Sequence, residues 1–206
     1  MFTVDTGMCN VWAARYITPN GTRRVIGSSL HGTMANALQD AIGAELAYAG
    51  RQVISMSGDR GLGMLLGELL TVAPHRLPVK IVTFNTSSLG MVKLERLVDG
   101  IPDSQTDHAP VDYAAIARAA GIHARRVGKP ADVRAALQEA LSHPGPALVD
   151  LVIDPNAMSI PPHITGEQVK GCAVAASKIV LTGGVGRMLA LARSNARNIP
   201  HPAVVR

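Results

Sequence analysis

Aromatic side chains are scarce, with Phe, Trp and Tyr making up 3% of the 206 residues. A surface that grips single-stranded nucleic acid by stacking needs more rings than that, which argues against this class. Cysteine is limited to Cys9 and Cys172. They stand too far apart to form a metal-ligand pair and read as two buried free thiols in a reducing compartment. No apolar run reaches the ~18 residues of a membrane span, and no signal peptide opens the chain, so a cytoplasmic location is expected. Acid is locally scarce as well. From Thr165 onward there are six basic residues (Lys170, Lys178, Arg187, Arg193, Arg197 and Arg206) against Glu167 alone, leaving fourteen of each sign in residues 1–164. The formal charge of +5 therefore belongs to the C-terminal tail. A general nucleic-acid surface is disfavoured, and a local anionic partner, such as the inner face of the cell membrane, is expected for that tail.

What is present is apolar and periodic. Hydrophobic residues at 47% and charged residues at 17% predict a folded globular core. Met1–Asp5 and Arg24–Ile26 read as short strands, and the former looks like the opening of a segment cut from something larger. After Gly27-Ser28-Ser29 a helix is expected through about Ala49, small-sided through Gly32, Ala35, Ala37, Ala41, Gly43 and Ala44. Val53–Ser57, Val79–Phe84, Ile122–Val127 and Ala147–Ile153 are apolar strands, the last a continuous run of the buried parallel kind. Helices are expected over Leu62–Val72, Asp112–Ala120 and from Pro130, where proline suits the first turn. The alternation predicts an α/β fold, a doubly wound parallel sheet with helices on both faces. The character changes at Asp154-Pro155 and Ile160-Pro161-Pro162, so residues 1–160 read as the α/β domain and 161–206 as a helical tail. In that tail, Gly166–Leu181 and Val185–Arg197 are helical. Val185, Met188, Leu189 and Ala192 share one face and Arg193 and Arg197 lie on another, a basic amphipathic pattern open to membrane contact or to packing on its own domain.

Two polar clusters end apolar strands, Ser57-Gly58-Asp59-Arg60-Gly61 and Phe84-Asn85-Thr86-Ser87-Ser88-Leu89-Gly90. A carboxylate and several amide and hydroxyl oxygens at the C-terminal ends of two parallel strands make one site. Hard oxygen donors beside backbone N–H groups suit Mg²⁺ bound together with a phosphate. Other motifs fail. Gly58-Asp59-Arg60-Gly61-Leu62-Gly63 has the wrong glycine spacing for a dinucleotide turn, and Ser87 and Ser88 lack a nucleophile elbow. His31 precedes the small-sided helix, and either approaches the substrate side or packs locally. His108, His123, His143, His163 and His201 lack metal spacing and read as surface residues.

These clusters resemble the Gly-Asp-Gly … Asn-Asn signature of thiamine-diphosphate enzymes. Further stretches, Val11–Tyr16, His31–Ala37, Leu77–Val82, Ile160-Pro161-Pro162 and Glu167–Gly171, resemble the C-terminal third of bacterial pyruvate dehydrogenase (quinone), also called pyruvate oxidase. The likeness runs from Phe2 to about Ile199. It implies that Gly32, Thr33 and Met34 line thiamine diphosphate, that Asp59 and Thr86 ligate Mg²⁺ from positions 27 apart, and that Arg60 and Gly61 face the diphosphate. Ser87, Ser88, Leu89, Gly90, Met91 and Val92 are implied to wrap its other side. It also implies a homo-oligomer and a partner chain or subunit carrying the pyrimidine-binding and FAD domains, without which no catalytic residue lies in this chain and pyruvate is not oxidised to acetate and CO₂. Two positions depart from the family pattern, with Arg60 where it has glycine and Thr86 where it has a second asparagine. An acetolactate-synthase-like carboligase fragment and a non-catalytic remnant or interaction module stay open as alternatives.

Overall fold

The computed structural model describes residues 1–18, 20–158 and 165–196. Pro19, the expected boundary at 160–161, the Ile160-Pro161-Pro162 stretch, His163, Arg197, His201 and Arg206 lie outside them. Two compact units are distinguished, Met1–Ser87 with Ala109–Ile153, and Ser88–His108 with the chain from Asp154 onward.

The first unit holds an all-parallel sheet of β1 (Phe2–Val4), β2 (Val25–Gly27), β3 (Ile54–Gly58), β4 (Lys80–Asn85), β5 (His123–Val127) and β6 (Ala147–Val152), in the order β2-β1-β3-β4-β6-β5. Alternation along the strands sorts side chains to two faces. Ile81 pairs in register with Leu148, and both join a core with Leu38, Ala41 and Ala44 of α2 (Ala37–Ala47), Leu69 and Val72 of α4 (Leu69–Val72), and Tyr113, Ala114 and Ala117 of α6 (Tyr113–Ala119). Val82 pairs with Val149 on the opposite face, where Ala136 and Ala140 of α7 (Pro130–Ser142) cover them. Cys9 and Ala13 of α1 (Met8–Tyr16) cover Val4 and Met56 on that same face. The expected α/β sheet with helices on both faces is therefore present.

Local departures from the sequence reading have physical causes. The helix expected over Leu62–Val72 is broken into α3 (Asp59–Met64), a 3₁₀ turn (Leu66–Glu68) and α4, with Leu65 at φ −125°, ψ 43° between them. The helix expected up to Ala49 starts only at Ala37, because Gly32 (φ 60°) and Ala35 (φ 64°) both turn left-handed before it. Helix α1 was not marked by any amphipathic pattern. Cys9 is buried as expected, and burial pushes its thiol up to about 12. Cys172 is exposed, contrary to the expectation of a buried thiol. His123 and His143 are partly exposed and lie side by side. Their rings stack 4.7 Å apart, with His123 Nε2 2.9 Å from Glu139 Oε1.

The second unit contains α5 (Gly90–Val98), α8 (Gly166–Leu181) and α9 (Val185–Asn195). Thr165 and Gln168 form a reciprocal capping box at the start of α8. Gly171 lets α8 lie directly on α5, since a Cβ there would meet Val98 O at 1.7 Å. Lys93 is buried on α5 and is held by Asp107 Oδ1 at 3.2 Å and Asp103 Oδ2 at 3.6 Å, while Arg187 of α9 also pairs with Asp103. Val185 and Leu189 on the apolar face of α9 are about half exposed, at 49% and 51%. No helix among the described residues is long and apolar enough to cross a membrane.

Candidate functional site

Strand order dictates where an open parallel sheet binds ligands. The chain leaves β1 for β2 on one side and returns to β3 on the other, so the β1/β3 boundary is a switch point, and ligands bind outside the carboxyl ends of the strands there. Two acids stand at this boundary. Asp5 follows β1, and Asp59 follows β3 as the first residue of α3. Both are almost completely buried, at 1% and 2% exposure.

Asp59 ties the ends of two strands together. Its Oδ1 accepts from its neighbour, the Arg60 amide, at 2.9 Å, and its Oδ2 accepts from the Ser87 amide at 2.6 Å. Ser87 presents that amide from a left-handed conformation, φ 52°, just past β4. The pattern read in the sequence thus converges at Asp59, Arg60 and Ser87, with Thr86 between the end of β4 and Ser87. Gly32, Thr33 and Met34 lie on the loop from β2 to α2. There the Gly32 amide donates to Ser28 O at 3.0 Å, and Gly32 lies beside Thr6, just past β1. Ser88, Leu89, Gly90, Met91 and Val92 open the second unit instead. Ser88 bridges Asp107, the Leu89 amide donates to Thr106 O at 2.8 Å, and Gly90, Met91 and Val92 form the first turn of α5.

Several residues of this edge were not read from the sequence. Asp5 Oδ1 accepts the amides of Asn36 at 2.7 Å and Ala37 at 2.9 Å, and so caps α2 from 31 residues away. Left-handed Ala35 turns these successive amides onto one oxygen, the geometry of an anion nest. Burial pushes the Asp5 carboxyl up, against the Ala37 amide, the adjacent Ser57 hydroxyl and the Asn36 amide. Its Oδ2 lies against Gly61, where a Cβ would come within 2.2 Å. Gly61, marked in the sequence for a diphosphate contact, is thus also required by an internal carboxylate. Tyr113 reaches the same region. Its hydroxyl lies 2.9 Å from the position of a Cβ on Gly63, and burial, then the Asp59 charge, pushes its phenol up to about 12. A motif search finds none of the three, because Asp5, Ala35 and Tyr113 acquire meaning only through partners distant in sequence.

Asn85 is committed to the fold. Its amide nitrogen donates to Asp150 Oδ1 and to Val111 O, each at 2.9 Å. Asp150, fully buried in β6, accepts further from the Tyr113 amide at 3.1 Å and from Arg126 at 3.0 Å. Burial pushes its carboxyl up, while Asn85 and Arg126 hold it down. The two bonds of its amide nitrogen fix the orientation of the Asn85 side chain at the end of β4.

The donor set at the strand ends consists of one buried carboxylate, Asp59, and one hydroxyl, Thr86. Among the described residues no group of three or more His, Cys, Asp or Glu forms a metal cage. Mg²⁺ takes one or two carboxylates and draws its other ligands from water and phosphate oxygens. These residues therefore fit a Mg²⁺ ion carried by a diphosphate, and fit poorly an ion held by protein alone.

Comparison with known proteins agrees with this geometry. The family model described as thiamine pyrophosphate enzyme, C-terminal TPP binding domain, matches residues 5–151. The chain is 37% identical over 171 residues to the putative thiamine pyrophosphate-containing protein YdaP of Bacillus subtilis (strain 168), covering 83% of this chain and 30% of that protein. It is 36% identical over 166 residues to a probable acetolactate synthase large subunit of Methanococcus aeolicus, covering 79% and 28%. With the acetolactate synthase isozyme 1 large subunit of Escherichia coli (strain K12), identity is 34% over 157 residues, covering 75% and 28%. The chain thus spans less than a third of the length of these curated relatives. The parallel sheet, the acid at its switch point and the match from Asp5 to Leu151 together show that the chain belongs to the thiamine pyrophosphate enzymes, through their C-terminal TPP-binding domain.

Proposed function

We propose that this chain is the diphosphate- and Mg²⁺-anchoring module of a thiamine-diphosphate enzyme acting on pyruvate. The observation that carries the reading is the burial of Asp59 at the β1/β3 switch point, fixed there by the Arg60 and Ser87 amides. In this reading Asp59 and Thr86 hold the cation, Gly32, Thr33 and Met34 line the cofactor, and Gly61 keeps the approach to the diphosphate open. When bound, the cofactor supplies a carbanion equivalent for cleaving the bond next to a 2-oxo acid's carbonyl. The chain's own part is to fix the diphosphate end and so to orient the reacting ring.

The tail resemblance favours oxidative decarboxylation of the quinone-linked pyruvate dehydrogenase type. The second reading, an acetolactate-synthase-like carboligase, is favoured by the acetolactate synthase large subunits among the relatives. Either reaction needs a positioned proton relay, to which we assign no described group at this sheet edge, and we assign it to a partner chain or subunit. Titration calorimetry of the chain with thiamine diphosphate, with and without Mg²⁺, tests the anchor. Tightening of binding by Mg²⁺ that Asp59→Ala abolishes is the expected result. Tightening by Mg²⁺ that survives Asp59→Ala, or no binding at millimolar cofactor, refutes the anchor. Pyruvate-dependent dye reduction or acetolactate formation by the chain alone refutes the need for a partner.

A further inference from the structure

We infer that Arg60 contacts the diphosphate directly and lets this site hold a diphosphate without a divalent cation. The inference rests on the site proposed above and concerns what the residue beside Asp59 adds to it. The Arg60 backbone is fixed, because its amide donates to Asp59 Oδ1 at 2.9 Å. Its side chain is exposed, and among the described residues the guanidinium makes no ion pair or hydrogen bond, not even with the neighbouring carboxylate. Consecutive Cα atoms lie about 3.8 Å apart, so this unpaired cation starts within one residue of the proposed metal ligand.

The charge balance of the edge points the same way. Three charged groups act on the Tyr113 phenol, namely Asp59, Arg60 and Asp150, and Arg60 is the one cation among them. A diphosphate brought to Asp59 meets like charge unless a cation offsets it. The donor set of one carboxylate and one hydroxyl is a thin cage for that cation. The planar fork of an arginine guanidinium matches two phosphate oxygens at once. Where glycine would leave the offset to Mg²⁺ alone, this chain carries part of it covalently.

The test is titration calorimetry of the full chain, Arg60→Gln and Arg60→Lys with thiamine diphosphate, each in excess EDTA and in excess Mg²⁺, with circular dichroism to show that the variants fold. The expected result is binding by the wild type in EDTA that inorganic pyrophosphate displaces and added salt weakens. Arg60→Gln is expected to weaken that binding by at least about tenfold, Arg60→Lys by less, and both to have a smaller effect in Mg²⁺. Wild-type binding in Mg²⁺ but not in EDTA overturns the inference and leaves the anchor intact. So does Arg60→Gln binding that matches the wild type in EDTA or falls equally in both conditions. Silence of all three proteins in both conditions overturns the anchor and the inference together.

Discussion

Replacing Gly61 by alanine tests whether an internal carboxylate or a bound ligand dictates that glycine. The added Cβ would lie 2.2 Å from Asp5 Oδ2 and 2.9 Å from its Cγ. A carboxylate at the surface would swing aside, but Asp5 is 1% exposed and its other oxygen is held by the Asn36 and Ala37 amides. Moving it breaks both bonds. Hydrogen bonds to a charged group contribute about 1.5 kcal/mol each at the low end, so the loss is about 3 kcal/mol. Alanine regains roughly 1 kcal/mol of helix propensity over glycine. Gly61→Ala should therefore destabilise by about 2 kcal/mol in urea unfolding without cofactor. In an Asp5→Ala background the clash is gone, and the same change should be neutral or stabilising by up to roughly 1 kcal/mol. The coupling between the two sites is then about 3 kcal/mol, well outside the range of additive sites. A Gly61→Ala variant as stable as the wild type, or one equally destabilised in both backgrounds, refutes the assignment of Gly61 to Asp5.

Ala35→Gly should raise stability by about 0.5–1 kcal/mol in urea unfolding, because a left-handed φ costs a non-glycine residue more than glycine's added chain entropy. No gain would mean that the turn into α2 is not strained. Gly171→Ala should cost about 2 kcal/mol or more, since its Cβ would overlap Val98 O, a backbone atom that cannot swing away. Protease susceptibility of the second unit should rise, and unchanged susceptibility would contradict the close seating of α8 on α5. The Asp5 carboxyl titrates above its ordinary 3.8 in the fold. Its contribution to stability is thus fully present below that value and is lost as pH rises through the folded value. Asp5→Asn has no such loss, so its stability relative to the wild type should increase as pH rises above about 4, and parallel pH profiles would refute the shift.

The parallel sheet was legible because β4 and β6 are short apolar runs between turn residues and their buried neighbours follow the period of two. What the pattern concealed is a row of polar groups inside the sheet. Ser55 and Ser57 alternate with apolar residues in β3 and suggest a strand with one wet face, yet β3 is central and both are buried, at 0% and 1% exposure. Asp150 interrupts the apolar run of β6 at 0% exposure, held by Asn85, Tyr113 and Arg126. Lys80 opens the central β4 at 4% exposure, with its Nζ donating to Gly145 O at 2.6 Å and to His143 O at 2.5 Å. Asp150 and Lys80 are satisfied by partners far away in the sequence, and composition or periodicity carries no trace of such a pairing.

The candidate site divides along the same line. Asp59 was legible because its context is local, an apolar strand that stops at Gly-Asp. Asp5 was not, although its place at the end of β1 mirrors that of Asp59 at the end of β3, because its task is to cap a helix that begins at Ala37. The two acids flank one switch point with opposite duties. Asp5 spends its charge on the α2 amides, which removes those amides as donors to a ligand, and Asp59 is the acid to which the proposed site assigns the cation. Arg60 stands beside that acid with a guanidinium that makes no ion pair or hydrogen bond among the described residues. With the Asn36, Ala37, Arg60 and Ser87 amides committed inside the protein, an anion at this edge depends more heavily on cationic side chains. The substitution that breaks the family's glycine pattern is therefore the one best placed to compensate for it.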